Sequence, residues 1–273
     1  MLFKTFILNS DISSATLTLY VHDEVSDPRP AVIVCPGGGY AFTSKREAAP
    51  IAELFYNAGI NAYILDYSIG ADAAEYKPLI EVATAIKYVR ENASLHNTAP
   101  DKIITCGFSA GGHLAASSGI LWNSQVVRDA LGITDGSAVE KINRPNGMIL
   151  SYPVITAGEF THKGSVQNLS GRLDYSDDDV ECFSLERHID STAPPMFIWH
   201  TANDTTVPVQ NSLFLIEKYA EYKIPFEAHI YPFGPHGLSL ATKSTWEGNP
   251  ALDNPHVATW AGLAIEWIKV TFK

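Results

Sequence analysis

Apolar runs of five or six residues alternate along the chain with longer stretches in which apolar side chains recur every three or four positions. AVIVC (31–35), NAYIL (61–65), KIITC (102–106), GMILSY (147–152), PMFIWH (195–200) and FEAHIY (226–231) read as strands. A strand covered on both faces needs apolar groups on both sides of its pleat, which gives a continuous run rather than alternation. LFKTFIL (2–8) and ATLTLYV (15–21) predict a hairpin at the start. REAAPIAELFYNAG (46–59), PLIEVATAIKYVRENA (78–93) and QNSLFLIEKYAEYK (210–223) carry the i, i+3, i+4, i+7 pattern of helices with one buried face. Strand, helix and strand in repetition predict an α/β protein: a mostly parallel central sheet of about eight strands with helices on both faces. Ligands of such sheets sit at the carboxyl ends of the strands.

Two segments break the rhythm, 125–144 and 156–195, the second rich in Asp, Ser and Gly; they are expected to be loops or short helices forming a small cap. No repeat or linker divides the 273 residues, so one domain is expected, with 46% hydrophobic residues to build its core. The formal charge of −11 supplies no basic patch for phosphates, which argues against nucleic acid and anionic membranes as partners. A homo-oligomer is left open. The first residues lack the unbroken apolar core of a secretory leader, and no apolar run spans a bilayer, so a cytoplasmic setting is expected. Cys35, Cys106 and Cys182 are too scattered for a disulfide framework, and no His-Glu-x-x-His or paired Cys/His spacing points to a metal. Cys35 and Cys106 read as small buried residues at strand ends.

Chemistry enters at Gly107-Phe108-Ser109-Ala110-Gly111, where IITC ends and a helical pattern begins. A serine there occupies a sharp, strained strand-to-helix turn, and small neighbours let strand and helix approach. The turn aims the Ala110 N–H, at a helix start, toward a developing oxyanion. A plain small-residue packing turn is the rival account. A serine nucleophile needs a base and the base an orienting carboxylate. Asp204 follows the strand MFIWH, and His236 follows the next strand between Pro235 and Gly237, in the order Ser, Asp, His. Asp190 is the competing acid and His256 the competing base. His113 and His200 read as structural partners, and His162 lies in polar surroundings with no partner implied. Gly37-Gly38-Gly39 after AVIVC offers backbone amides, Gly38 and Gly39 among them, for a second oxyanion donor. A phosphate cradle fits less well, since no Gly-Lys-Ser/Thr follows and Phe42 stands where a third dinucleotide-motif glycine would fall. Turn-making glycines remain a further account.

The segments PGGGY (36–40), GFSAGGHLA (107–115), HTANDTTVP (200–208) and PHGLSL (235–240) together resemble α/β-hydrolases of the esterase/lipase type. They are similar in particular to small bacterial carboxylesterases and acetyl-xylan-esterase-like sugar ester hydrolases. Pro36 departs from the His-Gly-Gly-Gly motif of the hormone-sensitive-lipase-like branch. The resemblance implies an α/β-hydrolase fold and hydrolysis of short acyl esters, notably acetyl groups on sugars, without a cofactor. It implies Ser109 as nucleophile, His236 as general acid/base, Asp204 as its orienter, and Gly38, Gly39 and Ala110 as oxyanion donors. Tyr40, Tyr152 and Trp246, near strand ends or in a late loop, are expected to wall the acyl pocket or stack on a sugar, or else simply to pack. Two other classes share these motifs: an amidase or peptidase such as an aryl formamidase, and a binding protein that kept the fold without activity.

Overall fold

A computed structural model describes residues 1–24, 27–133 and 141–273. The strands are β1 (Leu2–Ile7), β2 (Thr16–Val21), β3 (Arg29–Cys35), β4 (Asn61–Asp66), β5 (Thr98–Phe108), β6 (Gly147–Ser151), β7 (Met196–Thr201) and β8 (Phe226–Tyr231). The helices are α1 (Ala49–Asn57), α2 (Lys77–Glu91), α3 (Ala110–Ile120), α4 (Gln125–Leu131), α5 (Lys163–Ser170), α6 (Asp177–Phe183), α7 (Gln210–Glu221) and α8 (Thr259–Thr271). All eight strands join one sheet in the order β1-β2-β4-β3-β5-β6-β7-β8. β2 runs antiparallel to β1 and β4, and every other pairing is parallel. This is the mostly parallel sheet expected from the apolar runs; its central strands are covered on both faces, whereas β1 and β8 (FEAHIY) lie at its edges and are largely exposed.

The pleat sorts the core. In β3, Ala31, Ile33 and Cys35 pack into the layer under α2 and α3, whereas Val32 and Val34 pack toward α1 and α8; all five are fully buried. α2 buries Leu79, Val82, Ala83, Ile86 and Val89, and α8 buries Trp260, Ala264, Trp267 and Ile268, each set one stripe of a 3.6-residue period. α3 is different: every residue from Ala110 to Gly119 is buried, so it has no solvent face and no amphipathic pattern.

Where the sequence pattern suggests one helix over 46–59, the chain makes a single 3₁₀ turn, Lys45–Glu47, and α1 begins only at Ala49, with Pro50 in its first turn. The segment 156–195 forms α5, α6 and the 3₁₀ turn Leu185–Arg187. The segment 125–144 forms α4, and its residues 134–140 lie outside the described ones. Among the described residues no helix is long and apolar enough to cross a membrane.

Candidate active site

Ser109 sits between β5 and α3 with φ 54° and ψ −119°, a conformation that L side chains rarely adopt. It is held there from both sides: its N–H donates to the Ser151 carbonyl at 3.0 Å, and its own carbonyl accepts from Val154 and His113 at 3.0 and 3.1 Å. The glycines around it are sterically required. A Cβ on Gly107 would lie 2.0 Å from the Gly111 carbonyl oxygen, and one on Gly111 would lie 2.1 Å from that of Cys35. The small residues therefore let α3 close onto β3 and β5 with the serine pushed out at the corner.

His236 Nε2 lies 2.8 Å from Ser109 Oγ, and His236 Nδ1 lies 2.6 Å from Asp204 Oδ2. These three side chains come from the loops after β5, β7 and β8, each at the carboxyl edge of the sheet. Asp204 Oδ1 accepts from the Thr206 and Val207 N–H groups at 2.9 and 3.0 Å, and His200 Nε2 stands 3.4 Å from Oδ2. Burial alone would raise the carboxyl's pKa; the contacts from His200, His236 and Val207 outweigh it and hold the acid well below its ordinary range. His200 Nε2 donates to the Val207 carbonyl at 2.9 Å while its Nδ1 accepts from the Ser212 hydroxyl at 2.7 Å, so it braces the Asp204 loop. Asp190 is exposed and accepts from Thr192 in its own loop, and His256 is exposed against Tyr231; neither joins the cluster.

A cleft of about 750 Å³ opens over Ser109 and His236. Gly38 (φ 133°) and Gly39 (φ 65°) line it together with the serine, in backbone conformations that favour glycine. The N–H groups of Gly38, Gly39 and Ala110 have no acceptor among the described residues, whereas the Gly37 N–H is taken by Glu47 Oε2 at 2.9 Å. Free amides beside a hydroxyl already hydrogen-bonded to an imidazole form an arrangement able to stabilise an oxyanion.

The three aromatic residues expected to wall the pocket are placed elsewhere. Tyr40 is buried, its hydroxyl 3.0 Å from His113 Nδ1, because it fills the gap between the glycine loop and α3. Tyr152 is buried under the site, its ring edge-on to His236 at 5.0 Å. Trp246 is half-buried in the packing around α8, with Lys243 over its ring. The cleft instead presents Phe42, 58% exposed, together with His162, Asn168 and Glu247. His162 caps α5, and burial with the nearby His236 lowers its pKa. Nothing in the sequence marks His162 or Asn168, since only the folding of 156–195 over the glycine loop, where Asn168 donates to the Gly39 carbonyl, brings α5 to the cleft.

The profile of the BD-FAE family matches residues 17–219, a span that holds Ser109 and Asp204 and ends before His236. The chain is 37% identical over 236 residues to an endo-1,4-beta-xylanase B of Butyrivibrio fibrisolvens, covering 85% of this chain and 36% of that protein. It is 28% identical over 245 residues to an acetylxylan esterase of Xylanibacter ruminicola, covering 88% of this chain and 47% of that one. It thus spans less than half the length of these curated relatives. Among solved structures, an acetyl ester-xyloside bifunctional hydrolase from Caldicellulosiruptor lactoaceticus superposes with a TM-score of 0.81 at 33% identity, over 94% of this chain and 88% of that one. With its sheet order, its elbow serine and a family profile covering most of its length, the chain belongs to the BD-FAE family and is an α/β-hydrolase of the esterase type.

Proposed function

We propose that the chain hydrolyses short carboxylic esters, acetyl groups on sugars in particular, through an acyl-enzyme on Ser109. The observation that carries this reading is the unbroken hydrogen-bond chain from Ser109 Oγ through His236 to Asp204 at the base of the cleft. In the first step Ser109 Oγ attacks the ester carbonyl while His236 Nε2 takes its proton; the carbonyl oxygen becomes an oxyanion facing the Ala110, Gly38 and Gly39 amides. As the tetrahedral adduct collapses, the C–O bond to the alcohol breaks and His236 returns the proton to the departing oxygen. Water, deprotonated by the same imidazole, then attacks the acyl-serine, releases the acid and restores Ser109. Asp204, kept ionised, orients the imidazole and balances its charge when protonated.

Sugar esters are favoured by the acetylxylan esterase and the acetyl ester-xyloside hydrolase among the relatives. The cleft lining agrees: Phe42 offers an aromatic face, while Asn168 and His162 offer groups that can meet hydroxyls. The test is hydrolysis of p-nitrophenyl acetate by the wild type and by Ser109→Ala, followed by acetate release from acetylated xylo-oligosaccharides and by an acyl-length series. Ser109→Ala is expected to lose about 10⁴-fold or more in kcat. Turnover that survives Ser109→Ala, or a rate that does not fall with acyl length, overturns the nucleophile or the short-acyl assignment respectively. Matched anilides tell the ester reading from an amidase.

A further inference from the structure

Glu47 is a carboxylate, 4% exposed, that takes no step in the proposed reaction. It ends the 3₁₀ turn before α1, and both of its oxygens are engaged by parts of the site. Oε2 accepts from the Gly37 N–H at 2.9 Å, and Oε1 accepts from the Tyr152 hydroxyl at 2.5 Å. The Tyr152 hydroxyl in turn accepts from the Ser239 N–H at 2.9 Å, three residues beyond His236, and its ring lies edge-on to the His236 imidazole. The Ser239 hydroxyl donates back to the Arg46 carbonyl at 2.6 Å. Arg46, one residue earlier in the turn, donates through its guanidinium to the Gly237 and Thr245 carbonyls. One short turn therefore grips the glycine loop with Glu47 and the histidine loop with Arg46 directly and with Glu47 through Tyr152.

The grip leaves little slack. A Cβ on Gly37 would lie 2.6 Å from Glu47 Oε2, 2.8 Å from the Phe108 carbonyl oxygen and 3.2 Å from Ser109 Cβ, so Gly37 is wedged between the carboxylate and the nucleophile's corner. Burying a carboxylate is unfavourable unless its oxygens are well satisfied, and apolar residues fill such space at lower free energy. Here one donor, the Gly37 N–H, belongs to the loop that carries the proposed oxyanion amides, and the other, the Tyr152 hydroxyl, is itself held by the Ser239 N–H of the loop that carries the proposed base. We propose that Glu47 is a positioning residue that holds the glycine loop and His236 in register on either side of Ser109; this rests on the reaction proposed above. Burial and the charge of Glu47 raise the Tyr152 phenol well above its ordinary pKa, which keeps it a donor to the carboxylate.

The test compares wild type, Glu47→Gln, Tyr152→Phe and the double variant on p-nitrophenyl acetate. Melting temperature and the low-field proton resonance of the His236–Asp204 hydrogen bond are recorded for each. Gln keeps the shape but has one acceptor oxygen for two donors. Glu47→Gln is expected to lose about 30-fold in kcat with KM within about threefold, since the contacts act on the transition-state geometry rather than on binding. Tyr152→Phe is expected to lose about fivefold, and the double variant about as much as Glu47→Gln alone, because both interrupt one chain of contacts. The low-field resonance shifts or broadens in Glu47→Gln. A folded Glu47→Gln with kcat within threefold of wild type and an unmoved resonance overturns the proposal, as does an additive double variant. If Glu47→Gln does not fold, Tyr152→Phe carries the test: an unchanged kcat and resonance then overturn it. Ser109→Ala run alongside reports on the reaction itself; if the wild type turns over no ester, that reading falls and the resonance alone decides the positioning.

Discussion

Two imidazoles lie close to the Ser109 elbow, one in the core among neutral partners and one at the cleft beside a carboxylate. His113, four residues along α3, is in the core, with Tyr40 Oη 3.0 Å from Nδ1 and the Phe183 carbonyl oxygen 3.1 Å from Nε2. His236 is at the cleft, with Ser109 Oγ on one nitrogen and the Asp204 carboxylate on the other. Both rings are fixed at both nitrogens. Around His113 every partner is neutral, and burial pushes its pKa down to about 4, so the ring stays uncharged at neutral pH. Around His236 an ionised, fully buried carboxylate stands ready to balance a proton. A buried, fully hydrogen-bonded histidine is therefore a packing element, and a counter-charge at the far nitrogen is what suits one to proton transfer.

Removing the imidazole is the strongest way to break this contrast. His236→Ala is expected to lose about 10⁴-fold or more in kcat toward p-nitrophenyl acetate with little change in melting temperature. Asp204→Asn tests the counter-charge itself and is expected to lose about 10³- to 10⁴-fold in kcat. Asp204 is more acidic folded than unfolded, so its contribution to stability is complete above the ordinary carboxylate range and is lost as pH falls through it and below. Melting temperature against pH should accordingly fall less steeply on the acid side in Asp204→Asn. A substitution in the core should instead cost stability and spare activity. His113→Leu leaves the Tyr40 hydroxyl and the Phe183 carbonyl unpaired and is expected to lose about 2 kcal/mol of stability, while kcat of the folded protein stays within a few-fold. Because the folded pKa of His113 is depressed to about 4, its neutral form stabilises the fold above about pH 6.5, and that contribution is lost as pH falls toward 4. His113→Leu should flatten that part of the melting profile; a large loss of kcat instead would place His113 in the reaction.

The central strands β3 to β7 were legible because parallel strands buried on both faces are written as uninterrupted apolar runs, and α2 and α7 because their buried stripes repeat every 3.6 residues. The elbow was legible for a steric reason: Gly107 and Gly111 sit where a Cβ meets backbone about 2 Å away. The helical pattern over 46–59 overruns α1, since Arg46 and Glu47 continue it while their side chains are taken up by the loops around the site. Of the two roles open to the aromatic residues near strand ends, Tyr40 and Tyr152 take the packing one for a related reason. Tyr40 and Tyr152 stand next to the glycine loop and a strand end in sequence, yet their hydroxyls find buried partners and their rings turn inward.

The sequence by itself determined the sheet, the elbow and the residues with chemistry at strand ends, because hydrophobic periodicity and steric exclusion are local and act through near neighbours in the chain. Only the tertiary structure decided which imidazole meets the carboxylate and that Glu47 lies buried between two loops. It alone placed Phe42, His162 and Asn168 around the cleft. Those outcomes depend on the distance and charge of groups far apart in sequence, and they exist only once the β5, β7 and β8 loops and α5 have been brought to one edge of the sheet.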